Sequence, residues 1–182
     1  MRFFTADLHF GHRKVAALRG YLDVDMHDAH IRQHWFDRVT DNDIVYVLGD
    51  ISMNMNHGLD MMRDLPGRKR LIAGNHDMCH PRFTNAPARE VRYREVFEWV
   101  APFGKVKIDG VEFLLSHYPY NGDSGPIDRD PQWRLPNFGR PLLHGHTHSN
   151  NAVTSGIEFH VGWDAWGKLV PENLIPVDAW RI

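Results

Sequence analysis

The chain has 182 residues, 42% hydrophobic and 24% charged, a balance that suits one globular domain spanning 1–182 and argues against disorder or a fibrous repeat. A formal net charge of −2 leaves no basic face for long nucleic acid, and the single cysteine, Cys79, excludes an internal disulfide and a thiolate zinc cluster, as expected of a cytoplasmic protein. The outlier is histidine: 13 residues of the commonest metal ligand and near-neutral proton carrier.

"RFFTADLHF" opens as a short apolar run that predicts a buried strand ending at an acidic and histidine pair. It turns polar by Thr5 and Asp7, too early for a signal-peptide core, and no later stretch approaches the ~18–20 apolar residues of a membrane span. No membrane partner is expected. "MHDAHIRQHWFDRVT" places Ile31, Trp35, Phe36 and Val39 at spacings of three to four, an amphipathic helix. "DIVYVLGD" (43–50) is a second strand ending in a carboxylate, "HGLDMMRDL" a helix, and "RKRLIAGNHD" a third strand ending in polar residues. This β-α-β-α-β order predicts a parallel sheet with helices on its faces, where ligands gather at the carboxyl ends of strands. "RYREVFEWVAPF" has Val96, Trp99 and Val100 at helical spacing but reads equally as a run into a strand. "KVKIDGVEFLLSHYP" alternates on both sides of Asp109-Gly110, the signature of a type I′ hairpin. "RPLLHGHTHSN" and "GIEFHVGW" (156–163) are further strands, so the second half is expected to be mostly antiparallel. Between them, 118–141 has no periodicity, and a loop that long in a compact domain is usually functional or mobile.

The residues at these strand ends share one chemistry. They are Asp7 and His9, then Asp50, then Asn75, His76 and Asp77, then His117, then His146 and His148. Each is a metal ligand type or a proton carrier. In extended backbone, residues two apart face one side, about 6.5 Å apart. Asp7 with His9, and His146 with His148, would then each offer two ligands to neighbouring ions. Hydrolytic two-metal sites hold ions ~3.5–4 Å apart, and a carboxylate such as Asp50 suits a bridge between them. Gly49, Gly74 and Gly145 stand at or next to these ligands, where a side chain would clash.

Taken in order, "DLH" (7–9), "GD" (49–50), "GNHD" (74–77), "SH" (116–117) and "GHTH" (145–148) resemble the motif series of the calcineurin-like metallophosphoesterases. The resemblance implies an α/β fold, a four-layer α/β/β/α sandwich of two mixed sheets flanked by helices, carrying two divalent ions. It assigns Asp7, His9, Asp50 and His148 to one ion and Asp50, Asn75, His117 and His146 to the other. His76 would be the catalytic histidine and Asp77 its orienting partner. Oxygen and imidazole ligands suit Mn²⁺, which heads the expectation, with Fe, Co²⁺ and Zn²⁺ as alternatives. A hydroxide held between two cations attacks phosphorus at neutral pH, and a histidinium protonates the departing oxygen.

Departures from the pattern narrow the substrate. Members acting on phosphoproteins typically continue "GD" into Asp-Arg-Gly and read "GNHE"; here "GDISMN" and "GNHD" stand instead. Lacking that arginine for a phosphomonoester dianion, the chain is expected to hydrolyse small phosphodiesters, with nucleotides and cyclic nucleotides as candidates. Competing readings are a phosphomonoesterase or nuclease, a non-catalytic scaffold of the same fold, and a metal buffer. Among the other histidines, His144 is expected to be buried support, His12 either to lie near the metals and position substrate or to support the site structurally, and His27, His30, His34, His57 and His80 to be solvated. Aromatic and arginine side chains in 118–141 would either stack a base or pin the loop to its own domain.

Overall fold

A computed structural model describes residues 1–180. Strands β1 (Arg2–Thr5), β2 (Ile44–Val47), β3 (Arg68–Ile72) and β4 (Trp99–Ala101) lie side by side and parallel, with Phe3 opposite Val45 and Val45 opposite Lys69. Helices α1 (Arg13–Leu18), α2 (Val24–Arg38), α3 (Met55–Arg63) and α4 (Ala86–Tyr93) fall in the connections. Three helix starts are set locally by caps: the side chains of His12, Asp23 and Asn54 accept the N–H groups of Val15, Met26 and His57. The ambiguous stretch after residue 80 resolves into both possibilities, a helix over 86–93 and then a strand at 99–101.

The second sheet has the order β5-β6-β7-β9-β8, built from β5 (Phe103–Ile108), β6 (Val111–Ser116), β7 (Leu142–His144), β8 (Val153–Ser155) and β9 (Glu158–His160). At the β5-β6 turn, Asp109 and Gly110 have φ of 44° and 91°, the left-handed pair that a type I′ turn requires. The expectation of a mostly antiparallel second half needs correction. β6-β7 and β7-β9 are parallel, because the long 118–141 crossover carries the chain back to the starting edge before β7 begins. A short helix α5 (Trp163–Trp166) follows, and β10 (Val170–Pro171) closes the first sheet antiparallel to β1.

Strand alternation separates two cores. Phe3, Val45, Val47 and Leu71 face outward onto Ile31 and Trp35 of α2, Leu59 and Met62 of α3, and Tyr93 of α4. Their neighbours Phe4, Tyr46, Leu48 and Ile72 face the other way, onto Val106, Ile108, Phe113, Leu115, Leu143 and Phe159 of the second sheet. The two sheets are therefore the middle layers, with helices against the first. Over the second, Glu158 points opposite to Phe159 and accepts the N–H of Tyr120, so the 118–141 segment, with one helical turn at Pro131–Trp133, forms the outer cover. No helix among the described residues is long and apolar enough to cross a membrane.

Candidate metal centre

At the carboxyl ends of β1, β2, β3, β6 and β7 the chain leaves regular structure and turns sharply. Among the described residues six other than glycine have positive φ, and five are expected site residues: Asp7 (57°), His9 (51°), Asp50 (57°), His146 (71°) and His148 (50°). Left-handed backbone at aspartate and histidine is uncommon and costs of order 1–3 kcal/mol each, so the surrounding structure must hold it. This corrects the extended-strand geometry inferred for the D-x-H and H-x-H pairs: β1 ends at Thr5 and β7 at His144, and the ligands follow in left-handed turns. Hydrogen bonds fix those turns, Asp7 N–H to Gly49 O at 3.0 Å and His9 N–H to Asp50 O at 3.0 Å. Gly49 has φ of 90°, and a Cβ there would collide with the His117 ring and stand 2.7 Å from Gly74 Cα.

The structure brings all seven expected ligands together. On one side the Nε2 atoms of His9 and His148 lie 3.1 Å apart, and Asp7, His9 and His148 present ligand atoms within 4.8 Å of one another. On the other, Asn75 Oδ1 is 3.0 Å from His117 Nε2 and 2.9 Å from His146 Nδ1, while the two ring nitrogens are 3.2 Å apart. Asp50 Oδ2 lies between, 3.9 Å from His9 Nε2 and 3.5 Å from His117 Nε2, as a bridging carboxylate would. Asp7 also comes within reach of Asp50 and His117, so it stands nearer both groups than the motif pattern alone implies.

Fit to cations follows from this donor set. Burial holds the pKa of His9 well below its ordinary value and lowers His146 to about 3, the latter helped by the charge of His117, so both rings are neutral with a lone pair to give. Burial works to raise Asp50, but His117, His9 and His76 outweigh it and keep the carboxyl well below the usual range. Asp7 is raised to about 6 by burial. In each close pair one ring has a lowered pKa and the other is raised against its own burial, His117 to about 9 by the charge and hydrogen bond of Asp50 and His148 by Asp164 and Asp7, and a divalent cation would take the place of that proton between the facing nitrogens.

His76 is half-buried, its Nε2 3.8 Å from Asp50 Oδ2. Its expected partner is misplaced: the buried Asp77 carboxylate instead accepts main-chain N–H from Asp50 (2.9 Å), Ile51 (3.2 Å) and Gly74 (2.8 Å). It ties the β2 and β3 ends together, and no hydrogen bond joins it to the His76 ring, because both of its oxygens are taken by these three main-chain groups. A cavity of about 510 Å³ opens beside the centre, lined among others by His9, His12, Lys14, His76, Arg129 and His148.

Several histidines are reassigned. His144 is fully buried as expected, bonded through Nδ1 to Gly145 O (2.8 Å) and Nε2 to Thr154 Oγ1 (2.7 Å). His27 and His80, expected in solvent, are buried: His27 sits between Asp28 and Arg19, and His80 packs against Tyr118 and Trp133. In the 118–141 segment, Tyr118 and Tyr120 are buried and Arg134 donates to Pro119 O, which pins the loop; Phe138 is exposed. Sequence reasoning missed Arg19, Asp123 and Asp164, which lie against the ligands but belong to no strand-end pattern.

Buried nitrogen and oxygen donors gathered at the strand ends of an α/β/β layer structure define a metal-binding protein. The profile of the calcineurin-like phosphoesterase superfamily domain matches residues 21–161, and the chain belongs to that superfamily. It is 42% identical to the gene 66 protein of Mycobacterium phage D29, over 93% of this chain and 90% of that one. It is 41% identical to the gene 66 protein of Mycobacterium phage L5, over 95% and 91%. A crystal structure of a protein of unknown function from Aquifex aeolicus superposes over 96% of this chain and 97% of that chain with a TM-score of 0.70 at 24% identity, a likeness of fold.

Proposed function

We propose that the protein is a dinuclear metal-dependent phosphodiesterase acting on small phosphodiesters, nucleotides and cyclic nucleotides among them. The observation that supports this reading is the pair of converging donor sets about Asp50, His9 with His148 and Asn75 with His117 and His146, at 2.9–3.2 Å within each. Asp7, His9, Asp50 and His148 would hold one cation and Asp50, Asn75, His117 and His146 the other, with Mn²⁺ the first choice to test. When bound, the cations supply a water-derived nucleophile at neutral pH and offset charge on the phosphoryl oxygens.

The chain's own residues do the rest. His76, half-exposed at the cavity and 3.8 Å from Asp50, is placed to give a proton to the departing oxygen. Lys14 and Arg129 line the same cavity and favour an anionic substrate. Asp77 holds the main chain of Asp50 and Gly74, so it fixes where the bridging carboxylate stands. The absence of an arginine after Asp50 supports a diester, with one negative charge fewer at phosphorus, over a monoester. A substrate panel tests this: with Mn²⁺, bis-p-nitrophenyl phosphate and the 2′,3′- and 3′,5′-cyclic nucleotides should turn over faster than p-nitrophenyl phosphate. Faster monoester cleavage would replace the reading with a phosphomonoesterase, and cleavage of single-stranded oligonucleotides alone with a nuclease.

A further inference from the structure

Asp164, in α5 and far from every motif, stands directly behind a ligand. Its Oδ2 is 2.9 Å from His148 Nδ1, and the carboxylate is gripped by Arg19 through Nε (2.9 Å) and Nη2 (2.7 Å). All five guanidinium protons are used: the others go to Asp7 O (2.7 Å), Leu8 O (3.3 Å) and His27 Nε2 (2.9 Å). Because Arg19 can only donate, His27 accepts at Nε2 and carries its proton on Nδ1, which faces Asp28 Oδ1 at 2.7 Å. Asp28 in turn accepts the N–H of Gly11 (2.8 Å). One buried guanidinium thus holds the left-handed turn at Asp7 and the carboxylate behind His148.

From this geometry we infer that Asp164, locked by Arg19, is the positioning residue for the Asp7/His9/His148 ion: it accepts a hydrogen bond from the Nδ1–H of His148 and so turns the Nε2 lone pair to the cation. The inference rests on the metal-site reading above. A carboxylate behind a ligating imidazole fixes its tautomer and ring orientation and raises its basicity. The opposed pair of Nε2 atoms on His9 and His148, 3.1 Å apart, agrees with an Nδ1-protonated His148. In the second donor set, among the described residues, no carboxylate takes that place: His117 Nδ1 faces Leu48 O at 2.7 Å, and Asp123 lies 3.4 Å from His146 Nε2, beyond a good hydrogen bond. The two ions should therefore respond differently to a change at Asp164.

Calorimetric titration of the whole protein with Mn²⁺ tests this. Wild type should bind two ions; Asp164→Asn should weaken one by about 10- to 100-fold and leave the other within about twofold. In a His148→Ala background the same substitution should change nothing further beyond about twofold, because its route to the ion is gone. Nitrogen-15 spectra of the metal-free protein should show His148 protonated on Nδ1 in wild type and a mixture of tautomers in Asp164→Asn. If Asp164→Asn does not fold, Asp164→Glu retains the charge for Arg19 while displacing the carboxylate from His148, and should weaken the same ion. Two unchanged ions in the variant, or an equal loss in the His148→Ala background, would overturn the inference and leave the metal reading intact. A wild type that binds no Mn²⁺ would overturn both.

Discussion

Replacing Gly145 by alanine probes the closeness of the centre with a single methyl group. A Cβ at this position would stand 2.5 Å from Ala6 Cβ, 2.6 Å from Asp7 Oδ2 and 3.2 Å from Leu48 O. Carbon contacts are optimal near 3.5–4.0 Å, so the methyl overlaps Ala6 and Asp7 by roughly 1 Å. Neither neighbour has room to retreat: Ala6 and Asp7 are both fully buried, and Asp7 is held by the N–H of His146 at 3.0 Å. Gly145 has no positive φ, so alanine is acceptable to its own backbone and the effect is purely one of space. Overpacking of this kind costs about 1–3 kcal/mol. At about 2–4 °C per kcal/mol for a chain of this size, Tm should fall by about 2–12 °C. A displacement near 1 Å at a ligand should also cut Mn²⁺-dependent hydrolysis of bis-p-nitrophenyl phosphate by about 100-fold. Gly156→Ala is the control, since nothing lies within 4 Å of its added methyl. Scanning calorimetry and initial rates read the outcome. A Gly145→Ala protein with the Tm and rate of the control would refute the packing described at the strand ends.

Asp77→Ala strips the acceptor from three buried N–H groups, and at about 1–3 kcal/mol for each the urea midpoint should fall further than for Gly145→Ala; a shift under about 1 kcal/mol would contradict the assigned role. Chelation should lower Tm, and Mn²⁺ at 100 times its Kd should restore about 2.7 kcal/mol, or about 5–11 °C, in the same instrument. Cys79 is buried and its thiol is pushed up by burial and by the nearby Asp77 carboxylate, so iodoacetamide should label it only after denaturation, as mass spectrometry of timed samples will show. Labelling of the native protein at the rate of a free thiol would place Cys79 wrongly.

Local signals carried the elements that local physics decides. Apolar runs predicted β1, β2 and β3, helical spacing predicted α2, the stretch "HGLDMMRDL" read as the helix that is α3, and Asp109-Gly110 predicted the hairpin turn. The ligand types were legible because they interrupt apolar strands, where a buried aspartate or histidine demands a partner. Their backbone was not: left-handed turns at Asp7, His9, Asp50, His146 and His148 arise from cross-strand hydrogen bonds such as Asp7 N–H to Gly49 O, which join residues far apart in sequence. The same holds for Arg19, His27, Asp28 and Asp164. His27 and Asp28 look like solvated helix positions, and only the arrival of Arg19 from α1's end and Asp164 from α5 makes them a buried network. The parallel pairing of β6, β7 and β9 depends on where the 118–141 crossover goes, and that segment has no periodicity to read.

If a two-metal centre around Asp50, assisted by His76, cleaves phosphodiesters, metal content and turnover must depend on these two residues in different ways. Both quantities, measured on the same Mn²⁺-loaded preparations of wild type, Asp50→Ala and His76→Ala with bis-p-nitrophenyl phosphate as substrate, give the most direct test. Wild type should carry two ions and turn over; Asp50→Ala should lose ions and rate together, and His76→Ala should keep its ions while losing about 100- to 10,000-fold in rate. A wild type with less than one ion per chain and no turnover, or variants as fast as wild type, would contradict the account.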